Sequence, residues 1–157
     1  AAREIIEVPV VGPGMSAIFM ALQVGRRFSV ISPNDSDSGQ SAATMRQLGV
    51  AERYASTRGM GLSVLELAQG KDSAFEHIVQ AARRCVEEDG ADVLIMGCMS
   101  MAFLGITGEL SEKLGVPVIN PVIASLKTAE MMLAHNLSHS RTGWPRPPDK
   151  PLLEREG

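Results

Sequence analysis

The chain has 157 residues, of which 45% are apolar and 21% are charged, as is ordinary for one globular domain with a single hydrophobic core. Its net charge of −3, with acidic and basic residues mixed along the sequence, provides no basic surface for nucleic acid or anionic lipid. No apolar run reaches the roughly 20 residues of a membrane-spanning helix, and its 2 cysteines form neither a disulfide framework nor a CxxC metal site. We therefore expect a cytoplasmic protein with no nucleic acid or membrane partner.

The first half of the chain alternates between short apolar runs and helical patterns. Residues 8–11 (VPVV) predict a buried strand, and apolar residues at helical spacing predict a helix from Met15 to Val24. Residues 27–32 (RFSVIS) predict a second strand, which a polar loop connects to a helix ending at Gly49. Residues 54–66 are ambiguous and include a short extended piece that ends in a turn.

The second half has a clearer pattern. Residues 71–89 predict a long amphipathic helix that ends at Gly90. A strand, part of a helix, another strand and a final helix follow at residues 92–97, 109–114, 116–119 and 122–135. Strands that alternate with helices at this spacing predict an α/β fold, a three-layer sandwich with a mainly parallel, Rossmann-like sheet covered on both faces.

Two features concern the ends of the chain. Residues 1–138 are predicted to form the α/β lobe, and residues 139–157 a proline-rich C-terminal tail. The chain has no initiating Met and enters the apolar run IIEVPVV almost at once, so we expect it to be a fragment of a longer protein.

Four loops are predicted to meet at one edge of the sheet. Parallel sheets bind ligands outside the carboxyl ends of their strands, and residues 12–16, 32–35, 97–101 and 120–122 occupy that edge. Each loop leads toward a helix N-terminus, where unpaired backbone N–H groups attract anions. Cys98 lies in the third loop, with a glycine before it and a helix start after it. This setting favours a reactive thiol over a core cysteine.

The first loop also contains a weak dinucleotide-binding pattern. Gly12, Gly14 and Ala17 fit G-x-G-x-x-A, and Asp35 lies about twenty residues further on, where a ribose ligand is expected. However, Pro13 removes a backbone donor between the glycines, and the acid lies beyond the strand in a polar loop. We expect the glycines to form a tight turn that lets the helix pack close to the strand.

The remaining candidates are interpreted as structural. Cys85 falls within a predicted helix, where packing explains it, and Lys127 is interpreted as a surface residue. His135 and His139 have a spacing that can hold a metal, but no third ligand is evident, so no metal site is predicted. Most methionines fill the core, although Met99 can line an apolar pocket beside Cys98.

The chain resembles the later part of the hydantoin and allantoin racemases, within the cofactor-independent aspartate/glutamate racemase superfamily. The resemblance spans nearly the whole chain and lies in the pieces VPVVGPG, GRRFSVIS, GADVLIMGCMSM, LGVPVINPVIASLKTAE and LSHSRTGWPRPP. It implies two similar α/β lobes that face each other across a cleft, each with one catalytic cysteine, and no cofactor. Cys98 matches the second cysteine, and the first is expected upstream of the residues present. SPND at 32–35 and Asn120 differ from the threonines and aspartate common in relatives, so the substrate preference stays open.

A racemase of this kind needs a base on one face of the substrate carbon and an acid on the other, with donors for the enolate oxygen. Two thiols can do this, and Cys98 is predicted to work on one face. Backbone amides of the loops are expected to donate to the substrate oxygens, and the side chains of Ser32 and Asn34 are expected to be further donors. The predicted substrate-binding residues are Gly12, Gly14, Met15, Ser16, Ser32, Asn34, Met99, Ser100, Pro121 and Val122.

The sequence therefore predicts a cofactor-independent racemase of hydantoin-type or amino-acid-derived substrates, and we expect a homo-oligomer that binds a small molecule. Three alternatives stay open at this point. A single-cysteine decarboxylase of the same superfamily would protonate an enolate on one face only. The others are a dinucleotide-binding module and a degenerate lobe that only binds ligand.

Overall fold

The computed structural model describes residues 2–67 and 71–148. Within these ranges four strands form one parallel sheet in the order β2-β1-β3-β4. The strands are β1 (Phe28–Ser32), β2 (Tyr54–Gly59), β3 (Val93–Met96) and β4 (Val118–Ile119). β1 and β3 occupy the centre, and the extended piece expected within residues 54–66 is the edge strand β2.

Helices connect the strands and cover both faces of the sheet. Predicted helices in the regions of residues 15–24, 71–89 and 122–135 are all present, with N-terminal boundaries within two residues of the predictions. The helices are α1 (Ala2–Ile5), α2 (Pro13–Val24), α3 (Ser38–Gln47), α4 (Val64–Leu67), α5 (Lys71–Glu87), α6 (Met99–Ala102), α7 (Thr107–Leu114) and α8 (Pro121–Ala134). Within the described ranges, no helix has the length and apolar character required to cross a membrane.

The core lies in two layers, one on each face of the sheet. Strand residues alternate between the layers, because successive side chains of a strand point to opposite faces. Leu94 and Met96 pack with α4, α5, α6 and α7, whereas Val93 and Ile95 pack with α2, α3 and α8. The predicted three-layer α/β sandwich is therefore confirmed.

The strand predicted at residues 8–11 is wrong. Val8 is 59% exposed, and the segment pairs with no strand of the sheet. Pro9 has no N–H to donate to a ladder, and the Val10 N–H instead donates to His139 Nε2 at 2.7 Å. A side chain 129 residues away thus satisfies the backbone of an apolar run that resembles a strand locally.

The first part of the tail packs against this N-terminal segment. The Arg141 guanidinium donates to the backbone carbonyls of Arg3, Glu4 and Ile6, and the Arg3 guanidinium lies 5.2 Å from the centre of the Trp144 ring. The two ends of the described chain are therefore held together by hydrogen bonds. The division at residue 138 stays a prediction, and residues 149–157 of the tail lie outside the described residues.

The end of β3 approaches β1 too closely for any side chain. The Gly97 N–H donates to the Ile31 carbonyl at 2.7 Å. A Cβ at Gly97 would lie 2.6 Å from Val30 Cγ1 and 2.7 Å from the same carbonyl oxygen, well inside van der Waals contact. Glycine is therefore required where the chain leaves the sheet and leads into Cys98.

This contact predicts a loss of stability in Gly97→Ala. The added methyl group must push β3 away from β1, which should lower the free energy of unfolding by about 1–3 kcal/mol. Chemical denaturation followed by circular dichroism measures this. Gly39→Ala in α3 is the matched control, because a Cβ there meets nothing within 4 Å. Equal stability of the two variants would contradict the proposed close approach.

Candidate active site

A cavity of about 480 Å³ opens at the carboxyl edge of the sheet, where β1 and β3 end. This is the edge at which parallel sheets bind ligands. One wall comes from the strand ends and the loops after them, and the opposite wall comes from polar residues of α3 and the turn before it. The lining includes Pro13, Gly14, Ser32, Asp37, Gln40, Ser41, Thr44, Gly97, Met99 and Pro121.

Cys98 lies between two residues that line this cavity, Gly97 and Met99. It is half-buried, has extended backbone angles and immediately precedes α6, so the predicted helix start after it is present. Its side chain packs partly against the core layer of α5. Because α6 has only one turn, its macrodipole is small. Any support for a thiolate must come from the local N–H groups of that turn.

Ser32 faces the cavity as an acceptor rather than as the expected donor. Its hydroxyl donates to a carboxylate oxygen of Asp37, and an ionised carboxylate can only accept. The Ser32 oxygen therefore presents its lone pairs to the cavity. Asp37 was not predicted as a site residue. The only signal in the sequence was a carboxylate five residues after the end of a strand.

The structure brings together only some of the predicted substrate-binding residues. Gly14, Ser32, Met99 and Pro121 line the cavity. Cys98 follows and precedes lining residues but is not itself among the residues that line it. Three others line a separate groove of about 540 Å³ between α2 and α8, namely Gly12, Met15 and Ser16. The other three line neither the cavity nor the groove, namely Asn34, Ser100 and Val122. Their binding roles stay predictions.

Local hydrogen bonds explain two of these placements. The Ser16 hydroxyl donates to the Gly12 carbonyl at 3.1 Å, one turn back along α2. The Val122 N–H donates to Asn120 Oδ1 at 2.9 Å, and this bond lets Asn120 cap α8. Both groups have partners within the fold, and a ligand would have to compete with these bonds.

The dinucleotide-binding pattern lacks its structural context. No strand precedes Gly12, because residues 8–11 are not part of the sheet. A Cβ at Gly12 or Gly14 would meet nothing within 4 Å, so these glycines are not needed for close helix packing. Asp35 accepts from the Gly59 N–H at 2.6 Å, which fixes its carboxylate against β2. None of these observations favours a bound dinucleotide.

Cys85 lies at the opposite, amino edge of the sheet. Its α5 helix runs antiparallel to the strands, and the thiol is buried beside Ser29 and Ser56. Burial raises the pKa of the Cys85 thiol to about 11, although the hydrogen bond with Ser56 lowers it in part. Cys85 therefore cannot act in the cavity beside Cys98.

The two histidines of the predicted structural pair lie at the end of α8 and in the segment after it. His135 ends α8, and His139 Nε2 accepts from the Val10 N–H. Among the residues that the structure describes, no group of three His, Cys, Asp or Glu side chains could hold a metal ion. The interpretation of this pair as structural agrees with the hydrogen bond of His139.

Comparison with known proteins identifies the family. The family model for Asp/Glu/Hydantoin racemase matches residues 1–129. The chain belongs to this family. Hydantoin racemases from Paenarthrobacter aurescens and Pseudomonas sp. (strain NS671) are 34% and 32% identical to it over 98% and 85% of this chain.

Two solved structures share the fold. Allantoin racemase from Klebsiella pneumoniae has a TM-score of 0.88, with 31% identity over 98% of this chain. Allantoin racemase from Pseudomonas fluorescens has a TM-score of 0.87, with 31% identity over 96% of this chain. The chain spans 64% and 53% of the two hydantoin racemases and 62% and 64% of these two structures, which is less than two thirds of each relative.

The two cysteines should differ in reactivity. Iodoacetamide reacts with thiolates, and the buried Cys85 has a pKa of about 11, so it should be almost unreactive near neutral pH. We expect Cys98 to be alkylated at least about tenfold faster, and Cys85 labelling to rise only at strongly alkaline pH. Peptide mass spectrometry at short reaction times resolves the two sites. Equal labelling in protein that keeps its native circular dichroism would contradict an accessible Cys98.

Proposed function

We propose that this chain forms one catalytic lobe of a cofactor-independent racemase of hydantoin-type rings, in which Cys98 is one of the two acid/base groups. The position of Cys98 is the main support. In a chain of the Asp/Glu/Hydantoin racemase family, it follows the central strand β3 and lies between two residues that line the cavity at the carboxyl edge. Activity and substrate are proposed for the whole protein, since its relatives are longer than this chain.

The proposed reaction moves one proton off the substrate carbon and another onto it. The Cys98 thiolate removes the hydrogen next to the ring carbonyl, which leaves a thiol and an enolate whose oxygen needs hydrogen-bond donors. A second thiol on the opposite face then protonates the carbon and becomes a thiolate. The product is the other enantiomer, and the two sulfur atoms have exchanged protonation states. No redox step or cofactor takes part in this scheme.

The polar wall of the cavity supports a neutral ring with N–H groups. Ser32 offers an acceptor because its proton is donated to Asp37, and a ring N–H can donate to that oxygen. The Asp37 carboxylate also lines the cavity, so it disfavours a substrate that carries its own carboxylate at this wall. A hydantoin fits both conditions better than a free amino acid.

The second acid/base group must come from outside the described part of this chain. Its other thiol, Cys85, lies buried at the opposite edge of the sheet. A lobe with a single acid/base thiol also suits the decarboxylase alternative, which needs one proton donor. A substrate that loses carbon dioxide must carry a carboxylate, however, and Asp37 would repel it. We therefore favour racemisation.

The mechanism predicts that Cys98→Ser affects exchange of the α-hydrogen and interconversion of the enantiomers differently. In D2O the full-length wild type should exchange the α-hydrogen of both hydantoin enantiomers. A serine hydroxyl is too weak a base near neutral pH, so the variant should lose interconversion by at least about 10³-fold. Exchange can persist in the one enantiomer that faces the second thiol. NMR of hydantoins and allantoin follows both processes.

The matched control for this experiment is Cys85→Ala, which removes the buried thiol and should leave interconversion close to that of the wild type. The 157-residue chain alone should show no interconversion, because it lacks the second group. Undiminished interconversion in Cys98→Ser would mean that Cys98 is not a catalytic base. Release of carbon dioxide from a carboxylated substrate would instead support the decarboxylase.

A second prediction concerns the acceptor at Ser32. Ser32→Ala removes one hydrogen bond to the substrate, which should raise KM for a hydantoin by about fivefold and change kcat much less. Steady-state kinetics of the full-length protein measure both constants. Ser36→Ala, at an exposed position that does not line the cavity, is the control. If KM is unchanged in Ser32→Ala, the Ser32 oxygen does not accept a hydrogen bond from the substrate.

A further inference from the structure

We propose that Asn120 is a positioning residue that holds the Cys98 turn against the N-terminus of α8. This role rests on the proposed function of Cys98. Both polar atoms of the Asn120 amide are used, and they contact different elements. Oδ1 accepts from the N–H groups of Val122 and Ile123 at 2.9 and 3.3 Å, and Nδ2 donates to the Ala102 carbonyl at 2.8 Å.

The second bond leads directly to the cysteine. Ala102 ends α6, the single turn that Cys98 precedes, and the Ala102 N–H donates to the Cys98 carbonyl at 3.1 Å. The Ala102 carbonyl, which accepts this bond, is one of the carbonyl groups at a helix C-terminus that have no donor within the helix. Asn120 therefore completes the end of the turn whose other end carries the thiol.

The first bond connects the same amide to another wall of the cavity. Val122 and Ile123 belong to the first turn of α8, and Pro121 in that turn lines the cavity beside Gly97 and Met99. Because Oδ1 and Nδ2 belong to one rigid planar group, the amide fixes the separation between α6 and the start of α8. The same amide thus connects the turn that follows Cys98 to the turn that contains Pro121.

This arrangement requires asparagine. The side chain must accept at one atom and donate at the other, which an ionised aspartate cannot do. Serine and threonine can accept and so cap α8, but they are too short to reach Ala102 as well. Glutamine keeps the amide but is a poor N-cap residue. A substitution can therefore remove the bond to Ala102 and leave the cap of α8 in place.

The test variant is Asn120→Ser, with Asn120→Thr as a second variant of the same design. Both keep a hydroxyl oxygen for the α8 cap and lose the donor to Ala102. Ser125→Ala is the matched control, since it removes the bond from the Ser125 hydroxyl to the Val122 carbonyl at 2.9 Å in the same part of α8. Circular dichroism and thermal melting establish that each protein is folded.

Two measurements then separate positioning from stability. In full-length protein we expect kcat for hydantoin interconversion to fall about tenfold in both Asn120 variants, with KM within about twofold of wild type. In the 157-residue chain we expect iodoacetamide to label Cys98 about fivefold more slowly near neutral pH. Ser125→Ala should change neither quantity by more than about twofold.

Each result decides the proposal. If the Asn120 variants melt at a lower temperature but keep wild-type kcat and wild-type labelling of Cys98, Asn120 is only a helix cap. The proposal also fails if Ser125→Ala shows the same losses. Labelling does not depend on turnover, so it tests Asn120 even if the wild-type protein proves not to racemise hydantoins. That outcome would overturn the proposed function, and the labelling would still decide the role of Asn120.

Discussion

The contact between the ends of β1 and β3 sets the geometry of the candidate site. The Gly97 backbone lies against Val30 and Ile31 with no room for a Cβ, so the two central strands stay in register up to the last residue. The chain then turns out of the sheet at Cys98. Since Ser32 ends β1, this close approach also determines the distance between the strand-end hydroxyl and the cysteine loop. A wider gap at this point would separate the two sides of the cavity.

The fold was predictable where a pattern is strong and local. The long helix α5 has an unambiguous amphipathic sequence, and glycines with positive φ follow its end and that of α3, at Gly90 and Gly49. Prediction was less definite for β2, because an edge strand carries polar residues such as Ser56 and Arg58, and these bind Asp89 instead of entering the core. It failed at residues 8–11, where the deciding hydrogen bond comes from His139, far away in sequence.

The candidate site was likewise predictable in some of its features and not in others. The loops near Ser32, Cys98 and Pro121 meet because each follows a strand, and the carboxyl ends of parallel strands share one edge. Gly14 joins this edge at the start of α2, although no strand precedes it in the described chain. Side-chain hydrogen bonds follow no such rule. The turn after β1 directs Asp37 back to Ser32. The Ser32 hydroxyl therefore offers the cavity an acceptor instead of the expected donor. The sequence shows the residues that can form such bonds, but the choice among them depends on the folded backbone.

Within the link between the two ends of the described chain, the hydrogen bonds of Arg141 are chemically one-sided. Arg141 contributes its side chain to these bonds, whereas Arg3, Glu4 and Ile6 contribute only their backbone carbonyls. Those acceptors exist whatever side chains the three positions carry, provided that the backbone keeps its course. Replacement of Arg3, Glu4 or Ile6 can therefore leave these hydrogen bonds in place, whereas replacement of Arg141 removes all three at once.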